Sequence, residues 1–136
     1  MAVEQVLRIP AELERLDEVI DFVGTLLDAN GCTPQTRTQL RMAMEELYVN
    51  VAHYAYPSGD GWAEIRGSVE DGVVTFRLID GGTPYDPLAK PDPDILISGE
   101  EREIGGLGIY MVKNMVDKME YVYRDGCNQL ILRKKL

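Results

Sequence analysis

Apolar residues recur along this chain in two rhythms, and the breaks between them mark out its elements. Val3 to Ile9 mixes β-branched and apolar residues and stops at Pro10, which lacks a ladder donor, so a short first strand is expected there. Leu13, Leu16, Ile20, Val23 and Leu27 then recur at three- and four-residue steps, with Glu12, Glu14, Asp17 and Asp21 off the stripe. This spacing predicts an amphipathic helix of about five turns, stopped by Asn30-Gly31. Thr33 before Pro34 supplies an N-cap and a first-turn proline for a second helix, whose stripe runs through Leu40, Met44, Leu47, Val51 and Ala55. Pro57-Ser58-Gly59-Asp60-Gly61 ends it.

The rhythm then changes to two. Ala63, Ile65, Gly67 and Val69 alternate with Glu64, Arg66, Ser68 and Glu70, Asp71-Gly72 is a hairpin signal, and Val73 to Ile79 returns as a second strand. The polar alternate positions imply an antiparallel pair with one wetter face. From Gly81 to Ile104 periodicity vanishes among Pro84, Pro87, Pro91 and Pro93, and a gap of that length in a small domain is expected to be a mobile lid. Ile109, Val112, Met115 and Val116 predict a third helix after a glycine cluster. Met119 to Arg124 and Gln129 to Arg133 read as a terminal hairpin across Asp125-Gly126. The order indicates an α+β two-layer sandwich.

Composition narrows the functional classes. The 136 residues show no internal repeat, so residues 1–136 are expected to form one domain. A net charge of -9, from 14 basic against 23 acidic residues, disfavours direct docking on nucleic acid or an anionic membrane, where phosphates demand basic patches. Met1-Ala2-Val3-Glu4 has no basic flank leading into a long apolar run, and no stretch of about 18 apolar residues follows, so a cytoplasmic protein is expected. Cys32 and Cys127 have neither a CxxC spacing nor a histidine cluster, which suits reduced thiols better than zinc ligands.

Three separated segments carry candidate chemistry. Glu46 and Asn50 fall one turn apart on the second helix, beside the strip that faces the core. There a carboxylate can take a proton from a hydroxyl and an amide oxygen can ligate magnesium, although both residue types are also ordinary on helix surfaces. Glu45 lies about a hundred degrees round the helix from Glu46 and cannot share its strip with Asn50. Asp80 follows Val74, Phe76 and Leu78 on the core face of its strand, where a carboxylate needs a partner. Two partners are open: the backbone amides of an Asp-Gly-Gly turn, or an adenine amino group, with Gly82 allowing close approach to the base. Gly105-Gly106-Leu107-Gly108 opens the third helix, whose amides and dipole suit phosphate. The cluster does not complete GxGxxG, since Met111 holds the last position, and no GxxxxGK[ST] loop exists. His53 is expected to be structural at the core edge, and Trp62, Tyr54 and Tyr56 to pack rather than stack on a ligand.

Together these segments resemble the GHKL ATPase superfamily, and within it the bacterial anti-sigma-factor serine kinases. Glu46 to Pro57 resembles that family's N box, Asp80 to Asp86 its first glycine box, Gly105 to Ile109 its second, and Tyr121 to Leu132 its closing segment. The resemblance implies a Bergerat-type fold, with a mixed, mostly antiparallel sheet, helices on one face and an ATP lid over about residues 81–104. It implies ATP and Mg2+ as cofactors, with Glu46 as the base that prepares a substrate hydroxyl and Asn50 as the magnesium ligand. Asp80 would read adenine, Gly82 would shape its pocket, and Gly106, Leu107 and Gly108 would hold phosphates. Lys90, Arg102 and Lys113 are the cationic candidates for the transferred phosphate. The implied partners are an anti-sigma-factor antagonist as substrate and a sigma factor as the sequestered regulator, in a protein that is usually a homodimer. The alternative is an ATP-gated binding module that sequesters its partner without phosphorylating anything.

Overall fold

The computed structural model describes residues 3–89 and 106–136. Strand β1 (Gln5–Pro10) leads through a short 3-10 turn at Leu13–Arg15 into helix α1 (Leu16–Ala29), and α2 (Pro34–Asn50) follows. Strands β2 (Trp62–Glu70) and β3 (Val73–Asp80) form a hairpin, helix α3 spans Gly106–Met115, and β4 (Lys118–Arg124) and β5 (Cys127–Lys135) form a second hairpin. Most of the expected lid lies outside the described residues, as do Lys90 and Arg102.

Both hairpin turns hold aspartate and glycine at positive φ, Asp71-Gly72 and Asp125-Gly126, the left-handed backbone that a tight connection between twisted strands requires. Thr33 caps α2 as its sequence announces, its hydroxyl oxygen accepting from Thr36 N–H at 3.2 Å. Pro10 stands at the end of an edge strand, where a missing donor leaves no ladder bond unmade.

The five strands lie in the order β1-β2-β3-β5-β4. Every pairing is antiparallel, so the sheet is antiparallel throughout rather than mixed. The reason is in the second hairpin. It returns with β5 between β3 and β4, and β5 then runs against both of its neighbours.

Register places Ile9, Ala63, Ile65, Val74, Phe76, Leu78 and Leu132 on one face, where they pack with Val19, Val23 and Leu27 of α1, Leu40, Met44 and Leu47 of α2, and Val112 of α3. This is the α+β two-layer sandwich that the periodicities predict. The opposite face carries Arg8, Glu64 and Arg66, where Glu64 meets Arg66 at 2.6 Å and Arg8 at 3.7 Å. Arg8 also lies over the Trp62 ring at 4.1 Å.

Two tyrosines join the layers through their hydroxyl oxygens. The Tyr48 hydroxyl donates to the Glu12 carbonyl at 2.6 Å and accepts from Glu12 N–H at 3.1 Å, fastening α2 to the segment that leaves β1. The Tyr56 hydroxyl donates to the Trp62 carbonyl at 2.6 Å and accepts from Gly81 N–H at 2.7 Å. Burial pushes both phenols above their ordinary pKa.

Candidate functional site

The site forms where the end of α2, the end of β3 and the start of α3 meet on the helix side of the sheet. Glu46 and Asn50 project from the last turns of α2, both half-buried. Helix α2 packs against α3, and Glu46 of α2 lies against Gly108 of α3. A Cβ on Gly108 would overlap Oε1 of Glu46, so only glycine lets this carboxylate lie against the first turn of α3. That turn begins at Gly106, so Gly106, Leu107 and Gly108 are helical residues rather than a loop preceding the helix. The first backbone N–H groups of a helix have no intrahelical acceptor, and they carry its positive pole. Gly105 and the side chain of Leu107 lie outside the described residues.

After Asn50 the helix widens into a π turn over Val51–Ala55. The turn delivers the Ala55 carbonyl to the loop after β3, where it accepts from Thr83 N–H at 2.9 Å. A Cβ on Gly82 would overlap this same carbonyl. The demand for glycine at 82 therefore comes from the chain's own backbone, and it is the joint between the π turn and the loop after β3.

Asp80 ends β3 on the core face, 5% exposed. Its Oδ1 accepts from Gly82 N–H at 2.9 Å, which is the turn that an Asp-Gly-Gly sequence suggests. The same Oδ1 accepts from the side-chain amide of Asn128 at 3.0 Å. Asn128 is Asp80's cross-strand partner on β5 and is 6% exposed. Its Nδ2 also donates to the Thr83 carbonyl at 2.9 Å, and its Oδ1 accepts from Tyr85 N–H at 3.0 Å and from the Tyr121 hydroxyl. Asn128 is the site residue that sequence reasoning assigned no role. The available signal was its register, because strand alternation puts a polar residue on the core face directly opposite Asp80.

Other candidates lie at exposed positions. His53, expected at the core edge, is exposed, as is Tyr54 at 63%, and their rings lie 5.8 Å apart. The π turn explains this, since it rotates residues 53 and 54 away from the α-helical stripe. Lys113 lies on an exposed position in the last turn of α3. Among the described residues no group of three His, Cys, Asp or Glu side chains forms a metal cage. The donor set suits a different kind of ion: one amide oxygen beside one carboxylate, at a helix N-terminus fit for phosphate, is what a hard, largely hydrated cation bound with a nucleotide requires. The residues present therefore fit magnesium held jointly with a substrate's phosphates.

Known proteins share this chain's fold and parts of its sequence. The chain is 26% identical over 99 residues to the serine/threonine-protein kinase BtrW of Bordetella bronchiseptica, covering 71% of this chain and 68% of the relative. It is 20% identical over 132 residues to the serine-protein kinase RsbW of Listeria monocytogenes, covering 93% and 84%. Its fold matches the crystal structure of the RsbU and RsbW domains of Rv1364c from Mycobacterium tuberculosis with a TM-score of 0.66 at 18% identity, over 97% of this chain and 32% of that longer one. The family model described as the histidine kinase-like ATPase domain matches residues 9–134, and it is to this family that the chain belongs.

Proposed function

We propose that the protein is an ATP- and magnesium-dependent protein serine/threonine kinase of the anti-sigma-factor type. It would phosphorylate an antagonist protein and, through that reaction, govern sequestration of a sigma factor. The observation that carries this reading is the contact of the Glu46 carboxylate with Gly108 in the first turn of α3, because it puts a proton acceptor beside the amides suited to a transferable phosphate. Kinase names among the relatives support the reaction class.

Each segment has one task in this scheme. Asp80 accepts from the adenine amino group, with Gly82 shaping the loop beside it. The amides of Gly106, Leu107 and Gly108 receive phosphate oxygens. Asn50 would hold magnesium, which when bound neutralises phosphate charge. Glu46 accepts the proton of the substrate serine or threonine hydroxyl as its oxygen bonds to the γ-phosphorus. The bond between that phosphorus and the β–γ bridging oxygen breaks, and ADP leaves with the electron pair. Phosphoryl transfer asks chiefly for positioning and charge stabilisation, and in this scheme these groups would supply both.

The deciding experiment is incubation of the purified chain with radiolabelled ATP, magnesium and antagonist-type proteins of its host. A labelled serine or threonine on one of them is expected, with transfer by Glu46→Gln lowered by about a hundredfold or more while ATP still binds. Transfer at the wild-type rate in that variant would exclude Glu46 as the base. Nucleotide-dependent partner binding without any label would identify a sequestering module instead of a kinase.

A further inference from the structure

We propose that Asn128 is a positioning residue that makes the nucleotide pocket selective for a 6-aminopurine, by locking the Asp80 carboxylate in one orientation. The inference rests on the reading of Asp80 as the residue that meets the base. Its ground is the hydrogen-bond pattern around two buried side chains paired across β3 and β5.

The Asn128 amide has a single workable orientation. Its Oδ1 faces two donors, Tyr85 N–H at 3.0 Å and the Tyr121 hydroxyl, while its Nδ2 faces three acceptors, Asp80 Oδ1 at 3.0 Å, the Thr83 carbonyl at 2.9 Å and, at 3.5 Å, the Gly82 carbonyl. A flip would set oxygen against oxygen on one side and N–H against N–H on the other, in a site too buried for water to compensate. The amide therefore fixes Asp80 in turn. Two donors, Asn128 Nδ2 and Gly82 N–H, converge on Oδ1 of Asp80, and no described group bonds Oδ2.

A carboxylate held in this way offers the base one acceptor at one place. The 6-amino group of adenine brings an N–H to it. A 6-oxopurine brings a lone pair to the same position, and its nearest donor, N1–H, lies one atom further round the ring. Only a carboxylate free to pivot could reach that proton. Release of the Asn128 bond should thus relax selectivity, which differs from simply weakening the site. The same residue ties Asp80 to Thr83 and Tyr85, so the loop after β3 is indexed to the base-reading group.

The test compares ATP with ITP, which differ only at C6 and in the proton that the 6-oxo base carries on N1. Binding of each by the full chain with magnesium is measured by calorimetry for the wild type, Asn128→Ala, Asn128→Asp and Tyr121→Phe, with melting curves to verify folding. The wild type should prefer ATP by about tenfold to a hundredfold, the range for a hydrogen bond to a charged group. In Asn128→Ala and Asn128→Asp the ATP:ITP ratio should fall about tenfold with ITP affinity held or raised, and Tyr121→Phe should move it the same way by less. Equal weakening of both nucleotides, or an unchanged ratio, overturns the proposal. Tyr121→Phe keeps the test open should both substitutions at 128 fail to fold, because it leaves the amide in place and removes only one of the donors that orient it. A wild type that binds ATP and ITP alike would overturn the reading of Asp80, and the proposal with it. A wild-type preference that Asp80→Asn abolishes but the other variants retain overturns the proposal alone.

Discussion

At the scale of single residues, the proposed reaction turns on the contact between Glu46 and Gly108. Gly108→Ala puts a methyl group where the carboxylate lies, and the cheapest relief is rotation of the flexible Glu46 side chain. The fold should survive, with a melting temperature near that of the wild type, while phosphoryl transfer falls by about a hundredfold in the labelling assay. Tyr48 is the structural counterpart. Its fully buried hydroxyl serves both backbone groups of Glu12, so Tyr48→Phe should cost about 1–3 kcal/mol in denaturant unfolding. Burial raises its folded pKa above the ordinary 10.0. The stability this contributes is fully present below about pH 10 and is lost as pH climbs through the folded value. Unfolding free energy measured from pH 9 to 11 should fall less steeply in Tyr48→Phe, though not become flat, because Tyr56 and Tyr121 are raised by burial in the same direction. Glu46, Asn50 and Asp80 could be read as candidates from residue type and spacing alone. Asn128 and Tyr48 could not be given their tasks, because their partners lie 48 and 36 residues away and no local pattern encodes such a bond.

At the scale of elements, the π turn at Val51–Ala55 joins the two halves of the site. An ordinary α-helical end would leave the Ala55 carbonyl on the helix axis, whereas the wider turn brings it to Thr83 and Gly82. Gly82→Ala would drive a methyl group into a backbone carbonyl that cannot swing aside, and about 1–3 kcal/mol of destabilisation is expected in thermal unfolding, together with weaker ATP binding. Periodicity foretold the helices and the alternating strands because apolar spacing directly reports which face is buried. It missed the π turn, since Val51 and Ala55 fit an α-helical stripe equally well. The start of α3 shifted for a similar reason. Glycines read as loop formers by propensity, yet Gly106 and Gly108 are helical, in a helix that packs on α2.

At the scale of the whole molecule, the proposed nucleotide site is assembled from three separated segments, which would couple binding to folding. A ligand that bridges α2, β3 and α3 favours only the state in which all three are docked. ATP with magnesium at a hundred times its dissociation constant should therefore add about 2.7 kcal/mol to unfolding free energy, read as a rise in melting temperature, and Asp80→Asn should abolish most of that rise. The order of the segments and the class of fold were legible in the linear chain, because each segment carries its own local signature of helix stripe, strand alternation or glycine turn. Charge, too, is additive along the chain and needs no structure to read. What the tertiary structure alone decided is which groups meet: Asn128 with Asp80 across the sheet, Ala55 with Gly82 across the π turn, and Glu46 with Gly108 between helices. Such contacts depend on strand register and helix docking, and these are settled by the collective packing of side chains distant in sequence.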